Sequence, residues 1–222
     1  EGGTAGAGGS GIVIIRYIWD VTAPTISTLS VTSASGPDNY YGLGDTITVT
    51  TVWSETVTVT GSPRIPIQGL TSKYLSYSSG TGSNTLILNY VVSNTDLDRD
   101  GFSISANSLE LNSGTIKDQV GNDATLTHGA VTATIALRID GVPPTLSNMS
   151  VPNSGTTITL GFSETITATA SAYNQFTLMV GSVQNALSSG ATSDTRLGMT
   201  LAFGVIAGST VTLTYTDQIG RA

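Results

Sequence analysis

Thr46-Ile47-Thr48-Val49-Thr50 sets Ile47 and Val49 on one face and threonines on the other. That alternation has the period of a strand with one buried face, and it excludes an amphipathic helix. Outward along the chain the pattern recurs in Thr85-Leu86-Ile87-Leu88-Asn89-Tyr90, Thr157-Ile158-Thr159-Leu160 and Val211-Thr212-Leu213-Thr214-Tyr215. Turn clusters such as Ser78-Ser79-Gly80-Thr81-Gly82-Ser83 and Asn153-Ser154-Gly155 interrupt the runs. Short alternating strands separated by such turns predict an all-β chain folded as β-sandwiches. No segment carries a helical period.

Composition agrees. Charged residues make up only 10 % of the 222 residues, but hydrophobic residues reach 39 %, enough to build a core beneath a Thr/Ser-rich surface. The formal net charge is -7, and the only lysines are Lys73 and Lys117. With no basic stripe to neutralise phosphates, nucleic acid is excluded as an expected partner. An acidic chain is likewise repelled by anionic membranes, whereas its carboxylates suit calcium. Cysteine is absent, which removes disulfides, zinc–thiolate sites and thiol chemistry together. No stretch has the length of a membrane span. Gly11–Ile18 is apolar but short and lacks a preceding basic segment, so it does not read as a signal peptide. The chain starts Glu1-Gly2-Gly3, which reads as an internal excerpt or a processed product.

Internal repetition divides the sequence. Asp20-Val21-Thr22-Ala23-Pro24-Thr25 is echoed by Asp140-Gly141-Val142-Pro143-Pro144-Thr145, 120 residues on. Trp53-Ser54-Glu55-Thr56 returns as Phe162-Ser163-Glu164-Thr165 after 109 residues, and Asp118-Gln119-Val120-Gly121 as Asp217-Gln218-Ile219-Gly220 after 99. The order is kept while the spacing shrinks, as it does when loops shorten between related units. The expected organisation is a glycine-rich segment with one strand (1–19), a first sandwich (20–140) and a shorter second one (141–222). Pro24 and Pro143-Pro144 stiffen the two junctions, because proline fixes its own φ and biases its predecessor toward extended backbone.

These residues carry a resemblance. Tyr41-Gly42-Leu43-Gly44-Asp45-Thr46-Ile47-Thr48-Val49, Trp53-Ser54-Glu55, Gly114-Thr115-Ile116-Lys117-Asp118 and Gly121-Asn122-Asp123-Ala124 resemble the immunoglobulin-like repeats of giant bacterial adhesins. The second unit, through Phe162-Ser163-Glu164 and Tyr215-Thr216-Asp217, is similar to the related repeat of cyanobacterial swimming-motility proteins. Residues 1–17 are similar to the end of glycine-rich domains in phage tail fibres. The resemblance implies tandem immunoglobulin-like sandwiches in a non-catalytic extracellular protein: an adhesive stalk on a bacterial surface, or a virion fibre. The ligand on a cell or host surface is not specified. A third reading is a carbohydrate-binding accessory region of a secreted enzyme. The first unit continues after Asp118-Gln119 into Ala130–Ile139, read as a closing strand, whereas the second stops at Ala222 soon after Asp217-Gln218. Either the excerpt is short, or another copy supplies the strand through Gly11–Tyr17, giving self-association by strand addition.

Asp96-Leu97-Asp98-Arg99-Asp100-Gly101 is the strongest chemical feature. Its alternate aspartates offer three hard oxygen donors before a turn-forming glycine, as in calcium loops. An EF-hand would need Glu at the twelfth position, which is Asn107, so the alternatives are a different calcium loop or a solvated turn. Asp20 and Asp140 open the two linkers, and the resemblance implies calcium clamps at such junctions, with Asp118, Asn122 and Asp123 joining Asp140 if they share its pole. An Asp capping a turn before proline is the plain alternative. Glu55 and Glu164 fall in different units and cannot act as acid and base across one bond; each is read as structural at a strand end. His128 has no specified acid to orient it and is read as a surface-turn residue. Gly6–Gly11 spells G-x-G-x-x-G but precedes a strand, so it is no dinucleotide site. Trp19, Trp53, Tyr40 and Tyr41 would form a sugar-stacking face only if all were exposed together; core and linker packing is the alternative.

Overall fold

The computed structural model describes residues 2–3, 9, 12–15, 19–36, 39–152, 155–166, 176–193, 195–206 and 208–215. The described chain is all-β, its one short helical turn being Ile135–Leu137. Among the described residues no helix is long and apolar enough to cross a membrane.

In the N-terminal part, nine strands run in the order β1 (Ile26–Val31), β2 (Tyr40–Gly42), β3 (Thr46–Thr60), β4 (Arg64–Pro66), β5 (Tyr74–Ser79), β6 (Ser83–Val91), β7 (Leu97–Asp98), β8 (Thr115–Lys117) and β9 (Arg138–Asp140). The larger sheet has the order β1-β3-β6-β5-β4, with β8 joined to the far end of β3. A smaller sheet, β2-β9-β7, pairs β2 and β9 in parallel. Its inward residues Tyr41 and Ile139 share one core with Ile47, Val49 and Leu88 of the larger sheet. Burial along β3 alternates as far as Trp53, so the period of two in the sequence becomes an inside and an outside. Thr51 falls on the inside, and its hydroxyl accepts the Trp53 indole N–H at 3.0 Å, which makes that burial affordable.

The C-terminal part has its own core around Ile158, Leu160, Leu178, Leu197 and Met199. Its strands are β10 (Leu146–Ser150), β11 (Thr157–Phe162), β12 (Phe176–Val180), β13 (Val183–Asn185), β14 (Leu187–Ser193), β15 (Arg196–Leu201) and β16 (Val211–Tyr215). They form the sheets β10-β11-β15-β14 and β13-β12-β16. Among the described residues no sheet and neither core crosses Pro143-Pro144.

The sequence repeat is also a repeat of hydrogen bonds. Thr25 N–H donates to Ser54 Oγ at 3.0 Å, and Ser54 N–H donates to the Thr25 carbonyl at 2.8 Å. Thr145 and Ser163 exchange the same two bonds at 2.9 and 2.8 Å. Ile26 pairs with Trp53 as Leu146 pairs with Phe162, and each ladder carries an irregularity just after the first of these residues. The backbone therefore enters both parts by one route.

Three sequence expectations change. Ile12–Ile15 forms no strand and is 75–86 % exposed, while Gly11 and residues 16–18 lie outside the described residues. The closing strand expected over Ala130–Ile139 is only β9, because Val131 instead bridges Ile104 and Ile135–Leu137 turns helically. His128 is buried: its Nε2 accepts the Ser108 and Leu109 N–H groups at 3.0 and 3.2 Å, and Nδ1 lies 2.7 Å from the Gly129 carbonyl. With Nε2 accepting, the Nδ1 contact has Nδ1–H donating to the Gly129 carbonyl. The segments Asp217–Gly220 and Asn153-Ser154 lie outside the described residues.

Candidate metal centre

The acidic residues separate to opposite ends of the N-terminal sandwich. β3 ends at Thr60, and its stretch from Thr46, beside the β2–β9 pair, to Glu55 covers nine residue steps. At about 3.3 Å per residue this is roughly 30 Å of strand. Asp96, Asp98 and Asp140 lie at the Thr46 end, where Leu97 pairs with Asp140 and Gly141 N–H donates to the Asp96 carbonyl at 2.7 Å. Asp118 follows β8, which pairs with Thr58–Thr60, and so lies at the other end. The expectation that Asp118 and Asp123 join Asp140 is therefore corrected. A loop after β8 cannot reach the far end of the strand on which β8 rests.

Asp118 instead meets Asp20 and Glu55. One oxygen from each carboxylate lies within 4.8 Å of the others. Three segments distant in sequence deliver them: the linker, the middle of β3 and the loop after β8. The β3–β6 register breaks between Val52 and Val57, so Ser54-Glu55-Thr56 leaves the ladder. Such an irregularity re-aims a side chain that a regular strand would keep in alternation. Asp20 is set by its own turn, its Oδ1 accepting Thr22 N–H at 2.9 Å. Asp118 is buried, and its Oδ1 accepts the backbone N–H groups of Val120, Gly121 and Asn122 at 2.9, 2.6 and 2.8 Å. An open pocket of about 280 Å³, lined by Asp20, Glu55, Thr56, Gln119 and Val120, lies over the group.

The two carboxyls of this pole whose titration is displaced move in opposite directions. Burial, then the charges of Asp20 and Asp118, push the Glu55 carboxyl above its ordinary value. Burial also pushes Asp118 upward, but the amide donors of Asn122, Gly121 and Val120 outweigh it and hold that carboxyl below its ordinary range. Among the described residues none of the three carboxylates forms an ion pair. The nearest lysine in sequence, Lys117, is taken by the exposed Asp123 at 2.7 Å and by the Gly121 carbonyl at 3.4 Å.

The loop that the sequence favoured is arranged differently. Asp96 is buried, with Lys73 Nζ at 3.2 Å from Oδ1, while Oδ2 accepts Ser93 N–H at 2.7 Å and the Tyr90 hydroxyl. Asp98 Oδ1 accepts the Asp100 and Gly101 N–H groups at 3.1 and 3.0 Å, and its Oδ2 occupies the space a side chain at Gly69 would need. Asp100 is exposed. Asp96, Asp98 and Asp100 thus do not converge; Asp96 already has a cation and Asp98 closes its own turn. Asp140 Oδ1 caps Val142 N–H at 3.3 Å. The four aromatics likewise share no face: Tyr41 and Trp53 are core, Arg138 stacks 4.1 Å from the Tyr40 ring, and Trp19 is 80 % exposed.

The donor set at Asp20, Glu55 and Asp118 is all carboxylate oxygen, without nitrogen or sulfur. It fits a hard divalent cation such as calcium. Sequence reasoning had the three residues in hand, since each belongs to one of the three repeated motifs, but read Glu55 as structural. Their collinear recurrence was the available signal. The chain matches no protein-family model, and a search of curated proteins returns no relative.

Proposed function

We propose that this chain is a non-catalytic structural segment of an extracellular stalk on a bacterial surface, built of tandem immunoglobulin-like units. Calcium held by Asp20, Glu55 and Asp118 would stiffen the junction that leads into the first unit. The observation that carries this reading is that a linker carboxylate, Asp20, converges with two carboxylates of the folded body. An ion shared by linker and body ties the two together, because releasing the linker would cost the ion a ligand. The repeated hydrogen bonds at Thr25–Ser54 and Thr145–Ser163 support a chain that reuses one junction. Stacked units with stiff junctions produce reach rather than catalysis.

Thermal unfolding in chelator and across a calcium titration tests the metal. Ligand linkage raises stability by about 2.7 kcal/mol at a hundredfold excess over the dissociation constant. The parent should gain midpoint steadily with calcium, and Asp20→Asn and Glu55→Gln should lose most of that gain. An equal gain in parent and variants would place the ion elsewhere and sink the assignment. Light scattering tests the stalk: a monomer with and without calcium fits it, whereas a calcium-independent oligomer would favour copies joined by strand addition.

A further inference from the structure

Three like charges within 4.8 Å repel, and one of them sits on a linker with little body of its own. Something in the protein must hold that linker in place when no cation neutralises the group. The Asn122 side chain meets the requirement. Its Nδ2 lies 3.2 Å from the Asp20 carbonyl, 3.3 Å from the Thr22 carbonyl and 2.7 Å from Asp118 Oδ2. An amide carries two N–H donors, so the two linker carbonyls share one and Asp118 takes the other. The backbone of Asn122 is fixed as well, its N–H donating to Asp118 Oδ1 at 2.8 Å and its carbonyl accepting Asp118 N–H at 3.1 Å. Beyond this point Thr125 N–H donates to the Pro24 carbonyl at 2.8 Å, so the returning chain runs beside the linker only from Pro24 onward. Among the described residues, Asn122 is the side chain of the body that hydrogen-bonds residues 20–22.

We propose that Asn122 is a strap that fastens the linker to the N-terminal body through the Asp20 and Thr22 carbonyls and holds it there against the repulsion of the carboxylate group. The strap works without a metal. It gives the junction an intrinsic hold that a cation would then reinforce. Its use in a stalk rests on the function proposed above; its existence does not.

The chain lacks cysteine, so a single Val21→Cys, at a side chain 75 % exposed, can carry a nitroxide next to the strapped carbonyls. Electron paramagnetic resonance of the labelled full chain, carrying Trp19→Phe so that buried Trp53 is the one fluorophore of its kind, is recorded in chelator, with Trp53 fluorescence reporting the core. The parent should show an immobilised line shape. Asn122→Ala should lose the immobilised component and show nanosecond motion, with Trp53 emission unchanged. Asn122→Asp keeps the size but removes the donors and adds a fourth negative charge, so it should free the label further. Adding Glu55→Gln to Asn122→Ala should recover part of the immobilised component, because one repelling charge is gone. A label that stays immobilised in both single variants overturns the strap. Mobility that appears only together with loss of the Trp53 signal overturns it too, since Asn122 would then be a core support. Calcium added to the labelled parent is a separate arm: no response there counts against the metal assignment and leaves the strap standing.

Discussion

Asp96 and Asp118 are two buried aspartates at opposite ends of one sandwich, and they are satisfied in opposite ways. Asp96 has an internal cation: Lys73 approaches at 3.2 Å, and the Tyr90 hydroxyl and Ser93 N–H complete its shell. Each partner adjusts to this arrangement. The bond to Asp96 raises Lys73, and burial followed by the Asp96 bond raises Tyr90. At Asp96 itself burial acts upward, but Tyr90, Ser93 and Lys73 prevail and hold the carboxyl low. Asp118 has only neutral amide donors, and its charged neighbours are the carboxylates of Asp20 and Glu55. A buried charge with its counter-charge built in is a closed structural unit. One surrounded by further charges of its own sign is open to an external cation. Of the two aspartates, the one in the more metal-like sequence loop is the one already paired with a cation of the protein itself.

The largest effect should come from the closed end. Asp96→Ala leaves the half-buried Tyr90 hydroxyl and Ser93 N–H without their acceptor and Lys73 without its anion. It should cost on the order of 1–3 kcal/mol in denaturant unfolding of the N-terminal core, the range for hydrogen-bonding groups left without a partner. Calcium should not offset the loss. If it did, the contrast between the two ends would fail.

At the open end the sign reverses. Glu55→Gln removes a repelling charge, so in chelator at neutral pH the variant should be modestly more stable than the parent. Glu55 has a raised folded pKa, so its ionised form opposes folding above that value and the opposition disappears as pH falls through it, on the alkaline side of 4.5. The advantage of Glu55→Gln should therefore shrink as the solution is acidified through that range. Asp118, held below its ordinary 3.8, contributes stability above that value, which is lost only as pH falls further through its folded pKa. A constant advantage across this range would mean that Glu55 does not feel its neighbours. Smallest of all should be Asp123→Asn. The Lys117–Asp123 pair is exposed, and losing it should change stability by no more than about 0.5 kcal/mol. A larger loss would show that Lys117 is held by Asp123 in a way that matters to the open end.

Strand pattern was legible from alternation alone: Ile47, Val49, Leu86, Leu88, Ile158 and Leu160 all face cores, because a period of two leaves a strand no other way to hide them. The three repeated motifs were legible too, and with them every residue of the candidate centre. What the sequence could not supply was which carboxylates share an end of the sandwich. Asp96, Asp98 and Asp100 are near in sequence, but two of them are spent on local bonds and the third is exposed, because short acidic side chains readily satisfy their own turn. Asp20, Glu55 and Asp118 are dozens of residues apart and meet only because β8 rests on the far half of β3 and a break in register turns Glu55 out of alternation. Local pattern determined the strands; strand pairing, a long-range choice made by burial of the two sheet faces, decided which charges must live together.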